Sequence, residues 1–134
     1  MKVTREADYA TQTIYHLSNM DSDQQASTKS IADTRDIPIS FLAKIIKKLA
    51  IAGLINTARG SRGGVSLARQ PSEISILDVV EAIDGPVMLH DCDADPEDCT
   101  FREDCSLHHF WCETQGLLVD RMRNATFDKF GPGG

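Results

Sequence analysis

The sequence predicts a mainly α protein with a small β-hairpin wing: a winged helix-turn-helix followed by a long C-terminal helix. Three observations point there. Two helical patterns flank a break at Pro38 within residues 28–53. A Gly- and Arg-rich turn then separates two β-prone runs. The C-terminal part carries one long amphipathic stretch.

Residues 4–20, TREADYATQTIYHLSNM, read as the first helix. Thr4 is the expected N-cap, and Ala7, Ala10, Ile14 and Leu17 share a face. A polar loop, DSDQQAS, leads to a short helix from about Thr28 to Thr34, capped by Ser27, with Ile31 and Ala32 facing inward. Pro38 disfavours helical backbone at Ile37 and breaks the run. Ser40 is the expected cap of the third helix, FLAKIIKKLAIAG, which Gly53 ends. At 3.6 residues per turn, Phe41, Leu42, Ile45, Ile46 and Leu49 fall on one side of it, and Ser40, Lys44, Lys47 and Lys48 on the other. The segment LINTA-RGSRGG-VSLAR reads as a hairpin with Arg59 and Arg62 in its turn. Pro71 and Ser75 introduce a helix, ILDVVEAID, ended by Gly85 and Pro86. The final helix is expected from about Cys105 to Phe127, striped by Leu107, Phe110, Trp111, Leu118, Met122 and Ala125, with FGPGG as a frayed tail.

The chain's 134 residues are enough for one ordinary domain, or one domain with an appended element. The opening MKVTREADYATQ has no apolar core of a signal peptide, and no uninterrupted apolar run approaches the roughly 20 residues of a membrane span. A cytoplasmic location with no membrane contact is expected. The net charge of −6 hides an asymmetry. Between Thr28 and Arg69 stand eight basic residues against Asp33 and Asp36, a net +6, which leaves −12 for the remainder. A basic half joined to an acidic half predicts one polyanion-binding surface and one separate task. A solvated lysine face is the ordinary explanation of Lys44, Lys47 and Lys48. The arginine-tipped hairpin directly after them favours two cationic elements converging on double-stranded DNA, with Ser40, Lys44, Lys47 and Ala43 near base edges, Lys48 on the same DNA-binding ridge, and Arg59 or Arg62 at the backbone or minor groove.

All four cysteines lie in residues 90–112, HDCDADPEDCTFREDCSLHHFWC, spaced C-x6-C-x5-C-x2-H-x3-C. Clustered thiols in a reducing compartment are more often metal ligands than disulfides. Thiolates suit zinc, copper(I) or iron–sulfur clusters, and long loop arms suit a cluster better than a four-ligand structural zinc site. Cys105 and His108, at i and i+3, share a face of the last helix. Seven carboxylates from Asp91 to Asp104 keep the segment soluble and would lower a cluster's potential. Neither a nucleophile–base pair nor a substrate cleft can be inferred, so an enzyme is not expected.

The chain resembles the IscR/NsrR/RirA-type winged-helix regulators of the Rrf-two family. The resemblance is carried by MKVTREADYA, ISFLAKIIKKLAIAGLI, RGSRGGVSLAR, ISILDVVEAIDG and the cysteine triad, and runs from Met1 to about Met122. It implies a homodimeric repressor on a palindromic operator, whose affinity an iron–sulfur cluster sets in response to redox, nitric oxide or iron status. It also implies cluster ligands Cys92, Cys99 and Cys105, with the fourth either His108, as in two-iron (2Fe–2S) members, or Asp8 of the partner subunit, as in four-iron (4Fe–4S) members. Without that role, Asp8 is a first-turn carboxylate favouring the helix N-terminus, and His108 a surface histidine. Cys112 is a less favoured ligand, expected instead as a buried or dimer-interface residue. His16 and His109 carry no expected role. On this reading residues 1–70 form the DNA-binding region, with the first helix also on the partner; 71–89 connect; 90–108 hold the cluster; and 105–130 dimerise. The alternative keeps the DNA-binding module and replaces the cluster by structural zinc or a thiol-redox switch.

Overall fold

The computed structural model of the chain describes residues 2–21, 23–58, 63–89 and 106–131. Helix α1 spans Arg5–Ser18, and the Thr4 side chain caps it by accepting from the Ala7 amide at 3.0 Å. The same hydroxyl donates to Asp84 Oδ1 at 2.7 Å, tying the start of α1 to the end of a later helix. Ala7, Ala10, Ile14 and Leu17 are buried as their spacing predicts. Thr13 is buried among them, its hydroxyl satisfied by the Tyr9 carbonyl.

Helix α2, Thr28–Arg35, is capped by Ser27 and buries Ile31 and Ala32. It ends earlier than Pro38 requires: Asp36 turns left-handed at φ 55°, and the Ile37 amide returns to the Ala32 carbonyl at 3.0 Å. A short acidic side chain tolerates that conformation better than most. Helix α3, Ile39–Ile51, corrects the expectation for Ser40. The cap position belongs to Pro38, whose carbonyl receives the Phe41 and Leu42 amides at 3.0 Å, and there is no side-chain cap. Proline's fixed φ is already helical in kind, so the helix begins two residues earlier, at Ile39, and Ser40 lies within its first turn. Leu42, Ile45, Ile46 and Leu49 are buried. Phe41 is not: it is 43% exposed, its ring edge-on to Tyr9 at 6.1 Å. At the other end Gly53 (φ +79°) lets the Leu54 amide reach back to Leu49 at 3.0 Å.

Strands β1 (Ile55–Ala58) and β2 (Gly64–Leu67) pair antiparallel, Ile55 opposite Leu67 and Ala58 opposite Gly64. The sequence did not foretell the root of this hairpin. Ala26, at the end of the α1–α2 loop, forms a bridge to Val65, with N–H···O distances of 2.9 and 2.7 Å. Gly64 makes that approach possible, because a Cβ there would lie 2.8 Å from the Ala26 carbonyl oxygen. Gly64→Ala is therefore expected to destabilise the protein by about 1–3 kcal/mol, read as a lowered urea midpoint. An unchanged midpoint would mean the bridge opens at no cost.

A 3-10 turn, Pro71–Glu73, precedes α4, Ile76–Asp84. Ser75 and Asp78 form a reciprocal capping box, at 3.0 and 3.1 Å, and Gly85 (φ +81°) follows the helix. The last helix, α5, spans Ser106–Arg123, shorter than its predicted Cys105–Phe127 span. The chain then turns back: the Ile76 amide donates to Ala125 at 2.9 Å, the Phe127 amide donates to Ile74 at 3.0 Å, and Thr126 bridges Ser75. A second 3-10 turn, Phe127–Lys129, carries the Phe127 ring into the main core. Part of the expected tail is thus structure: the Tyr15 hydroxyl donates to the Gly131 carbonyl at 3.1 Å.

Two cores result. The larger joins α1, α2, α3, the hairpin, Ile74, Val79 and Phe127; the smaller joins Leu77, Val80, Val87 and Met122 between α4 and α5. Of the predicted α5 stripe, Leu107, Phe110 and Trp111 are exposed within one chain, Leu118 and Ala125 are partly buried and Met122 is buried; Leu117, outside that stripe, is exposed as well. Among the described residues, no helix is long and apolar enough to cross a membrane.

Candidate nucleic-acid interface and cysteine segment

Helix α3 presents Ser40, Ala43, Lys44 and Lys47 to solvent, opposite its buried row. The cationic ridge divides. Lys48 Nζ lies 3.1 Å from Glu6 Oε1 on α1, whereas Lys44 and Lys47 have no acidic partner among the described residues. Lys48 thus braces α3 on α1, and the uncompensated field lies nearer the first turn of α3. Behind this surface, Arg35 at the end of α2 donates from Nε to His16 Nδ1 at 3.3 Å and lies 4.7 Å from the Tyr15 ring centre. Burial, and then the Arg35 charge, hold the His16 pKa below its usual value, which keeps the imidazole an acceptor. Sequence reading assigned His16 nothing; its role is to anchor α2 on α1.

Arg59 and Arg62 lie outside the described residues, as do Cys92, Cys99 and Cys105. Around the cysteine segment the described residues form a frame. The Gln115 side chain of α5 accepts from the Leu89 amide at 2.8 Å and donates to the Val87 carbonyl, pinning the chain where it enters that segment. No sequence pattern marks Gln115, since a glutamine on a helix face gives no periodic signal. Near the start of α5, His108 and Cys112 meet across one turn, Nε2 to Sγ 3.3 Å. His108 Nδ1 is buried and finds no hydrogen-bond partner among the described residues. Cys112 is exposed in the single chain, so it is not buried within one subunit. Asp8 is exposed near the start of α1, beside Lys2, Val3, Thr4 and Arg5. No three potential metal ligands converge among the described residues.

An iron–sulfur cluster would fit the donors available. Three thiols stand in one segment of the sequence, and a buried ring nitrogen without a partner among the described residues follows three residues after the last of them. Soft sulfur with one imidazole is an established donor combination for such groups.

The exposed row of α3 bears on the salt dependence of DNA binding. If Lys44 and Lys47 each meet a phosphate, changing both to Ala reduces the slope of log affinity against log salt by about 1.8, roughly 0.9 per contact. Fluorescence anisotropy at several salt concentrations measures this. A slope equal to that of the unmutated protein would remove these lysines from the backbone contacts.

The family model described as "Rrf2: Iron-dependent Transcriptional regulator" matches residues 3–131. The chain is 30% identical over 127 residues to the HTH-type transcriptional regulator NsrR of Bacillus licheniformis, covering 94% of this chain and 89% of that one. It is 29% identical over 126 residues to protein rrf2 of Nitratidesulfovibrio vulgaris, covering 94% and 84%. Two solved structures share the fold. CymR, the global cysteine regulator of B. subtilis, superposes with a TM-score of 0.77 at 23% identity, over 97% of this chain and 95% of that one. T. potens IscR superposes with a TM-score of 0.77 at 22% identity, over 97% and 85%. With a basic helix beside a two-stranded wing and a family match across nearly its whole length, the chain belongs to the Rrf2 family of DNA-binding transcriptional regulators and is not an enzyme.

Proposed function

We propose that this regulator works as a homodimer on a palindromic operator and that an iron–sulfur cluster held by Cys92, Cys99, Cys105 and His108 sets its affinity. The observation that carries the reading is the buried Nδ1 of His108, without a partner among the described residues and three residues after the last thiol of the triad. A histidine satisfied as an ordinary surface residue would reach water or a polar neighbour through that nitrogen. Asp8 is the competing fourth ligand, and its exposure leaves it accessible to a second copy.

Dimerisation is supported by the exposed apolar row on α5, where Leu107 and Leu117 are 68% and 72% exposed. Pairing two such helices would bury that row and place the two α3 helices on one side. When bound, a cluster supplies electron exchange and reactivity toward oxygen or nitric oxide. The chain's own part is mechanical. His108 sits near the first turn of α5, and beyond the far end of that helix Ala125 and Phe127 bond to residues 74–76, adjoining the core on which α3 rests. Ligand exchange at one end would tilt α5 and, through that junction, the reading helix. Only a group that binds the DNA-competent arrangement better than the alternative can act in this way.

The test is anaerobic purification, with iron, acid-labile sulfide and zinc measured, followed by Mössbauer spectra of the unmutated protein, His108→Ala and Asp8→Ala. Iron and sulfide with a site-differentiated iron lost in His108→Ala is expected. Loss in Asp8→Ala instead would move the fourth ligand to the partner subunit. A colourless protein with stoichiometric zinc and no sulfide would replace the cluster by the structural-zinc reading.

A further inference from the structure

We infer that Cys112 is a positioning residue: its sulfur holds His108 Nε2, so that Nδ1 is the nitrogen presented to the cluster. The inference rests on the reading of His108 as a ligand. The two side chains stand at i and i+4 on α5, a spacing that stacks them on one face. Their separation, Nε2 to Sγ 3.3 Å, lies within hydrogen-bond reach for sulfur. A neutral imidazole has one donor nitrogen and one acceptor. If Nε2 carries the proton and gives it to sulfur, Nδ1 keeps its lone pair, and Nδ1 is the buried atom without a partner among the described residues. Either tautomer leaves Nδ1 unsatisfied among the described residues, as a buried N–H or a buried lone pair, at a cost of about 1–3 kcal/mol; only the lone pair can be filled by a metal.

Histidines that ligate metals commonly give their other N–H to a carboxylate, a carbonyl or water, which fixes ring orientation and basicity. Here sulfur takes that place. It explains a cysteine outside the triad in this particular position without making it a fourth thiolate ligand. The hydrogen bond selects a tautomer and a ring angle; it transfers no electron and breaks no bond.

The experiment uses the full chain, reconstituted anaerobically, with histidine carrying 15N at either Nδ1 or Nε2, and pulsed EPR of the reduced cluster. Strong coupling is expected from the Nδ1 label alone. Cys112→Ala should keep its cluster, show a broadened nitrogen coupling, and lose iron to a chelator on the order of 10-fold faster. Cys112→Ser, which restores an acceptor, should recover much of both properties. Strong coupling from the Nε2 label would overturn the inference, as would a Cys112→Ala protein with unmutated coupling and iron-loss rate. Outright loss of the cluster in Cys112→Ala would overturn it too, making Cys112 a ligand. A cluster with no nitrogen coupling under either label would remove His108 as ligand and the inference with it. Absence of any cluster in the unmutated protein would instead mark failure of the underlying cluster reading.

Discussion

Phe127→Ala is expected to lower stability by about 3–5 kcal/mol, enough to consume much of the roughly 5–15 kcal/mol that holds an ordinary domain together. The ring is 2% exposed and belongs to the larger core, with its centroid 5.8 Å from that of Phe130. Its removal would leave a cavity and loosen the junction that attaches α5 to the DNA-binding half. The Phe127 amide bonds to Ile74, and the adjacent Ser75–Thr126 bridge completes that junction. Thermal unfolding should show a fall on the order of 10 °C or more. Phe130, 39% exposed on the same turn, is the control. If Phe130→Ala costs as much as Phe127→Ala, the tail acts by general surface cover and the junction has no special role.

Cys99→Ala is expected to abolish visible absorbance and weaken operator binding by roughly 5- to 150-fold, the range of a coupling energy of about 1–3 kcal/mol. The loss should appear only in comparison with the anaerobic, cluster-loaded protein. Stability of the winged-helix core should remain close to that of unmutated apoprotein, which lacks the same cluster. Anaerobic anisotropy titrations on a palindromic operator would measure the affinity. Equal affinity in loaded and mutant protein would show that the switch lies elsewhere.

Much of the fold was legible because local signals and burial agreed. Thr4, Ser27 and Ser75 cap the helices they precede, and the apolar spacing of α1 and α3 marks their buried faces. Where reading failed, a non-local contact or a competing local preference decided. Ser40 has the right chemistry for a cap, but Pro38 takes that position. Phe41 falls at the margin of the apolar stripe and finds Tyr9 instead of the core. The α5 stripe was read as a burial signal, yet within one chain only Met122 is buried on that helix. The return of residues 125–127 to 74–76 depends on backbone pairing across a long stretch of chain, which periodicity does not encode. At the candidate site the cysteine spacing and the cationic row were visible from residue order and helical periodicity alone. The brace from Lys48 to Glu6, the Gln115 clasp and the His108–Cys112 contact needed three dimensions.

The close approach of Gly64 to Ala26 fixes where the hairpin can be engineered. In the sequence, residues 59–63 join the two paired strands, so loops of other lengths and charges could be grafted there to retarget the protein to new operators. Any graft extending into Gly64 or Val65 would pry the hairpin from the α1–α2 loop and spoil the scaffold along with the specificity.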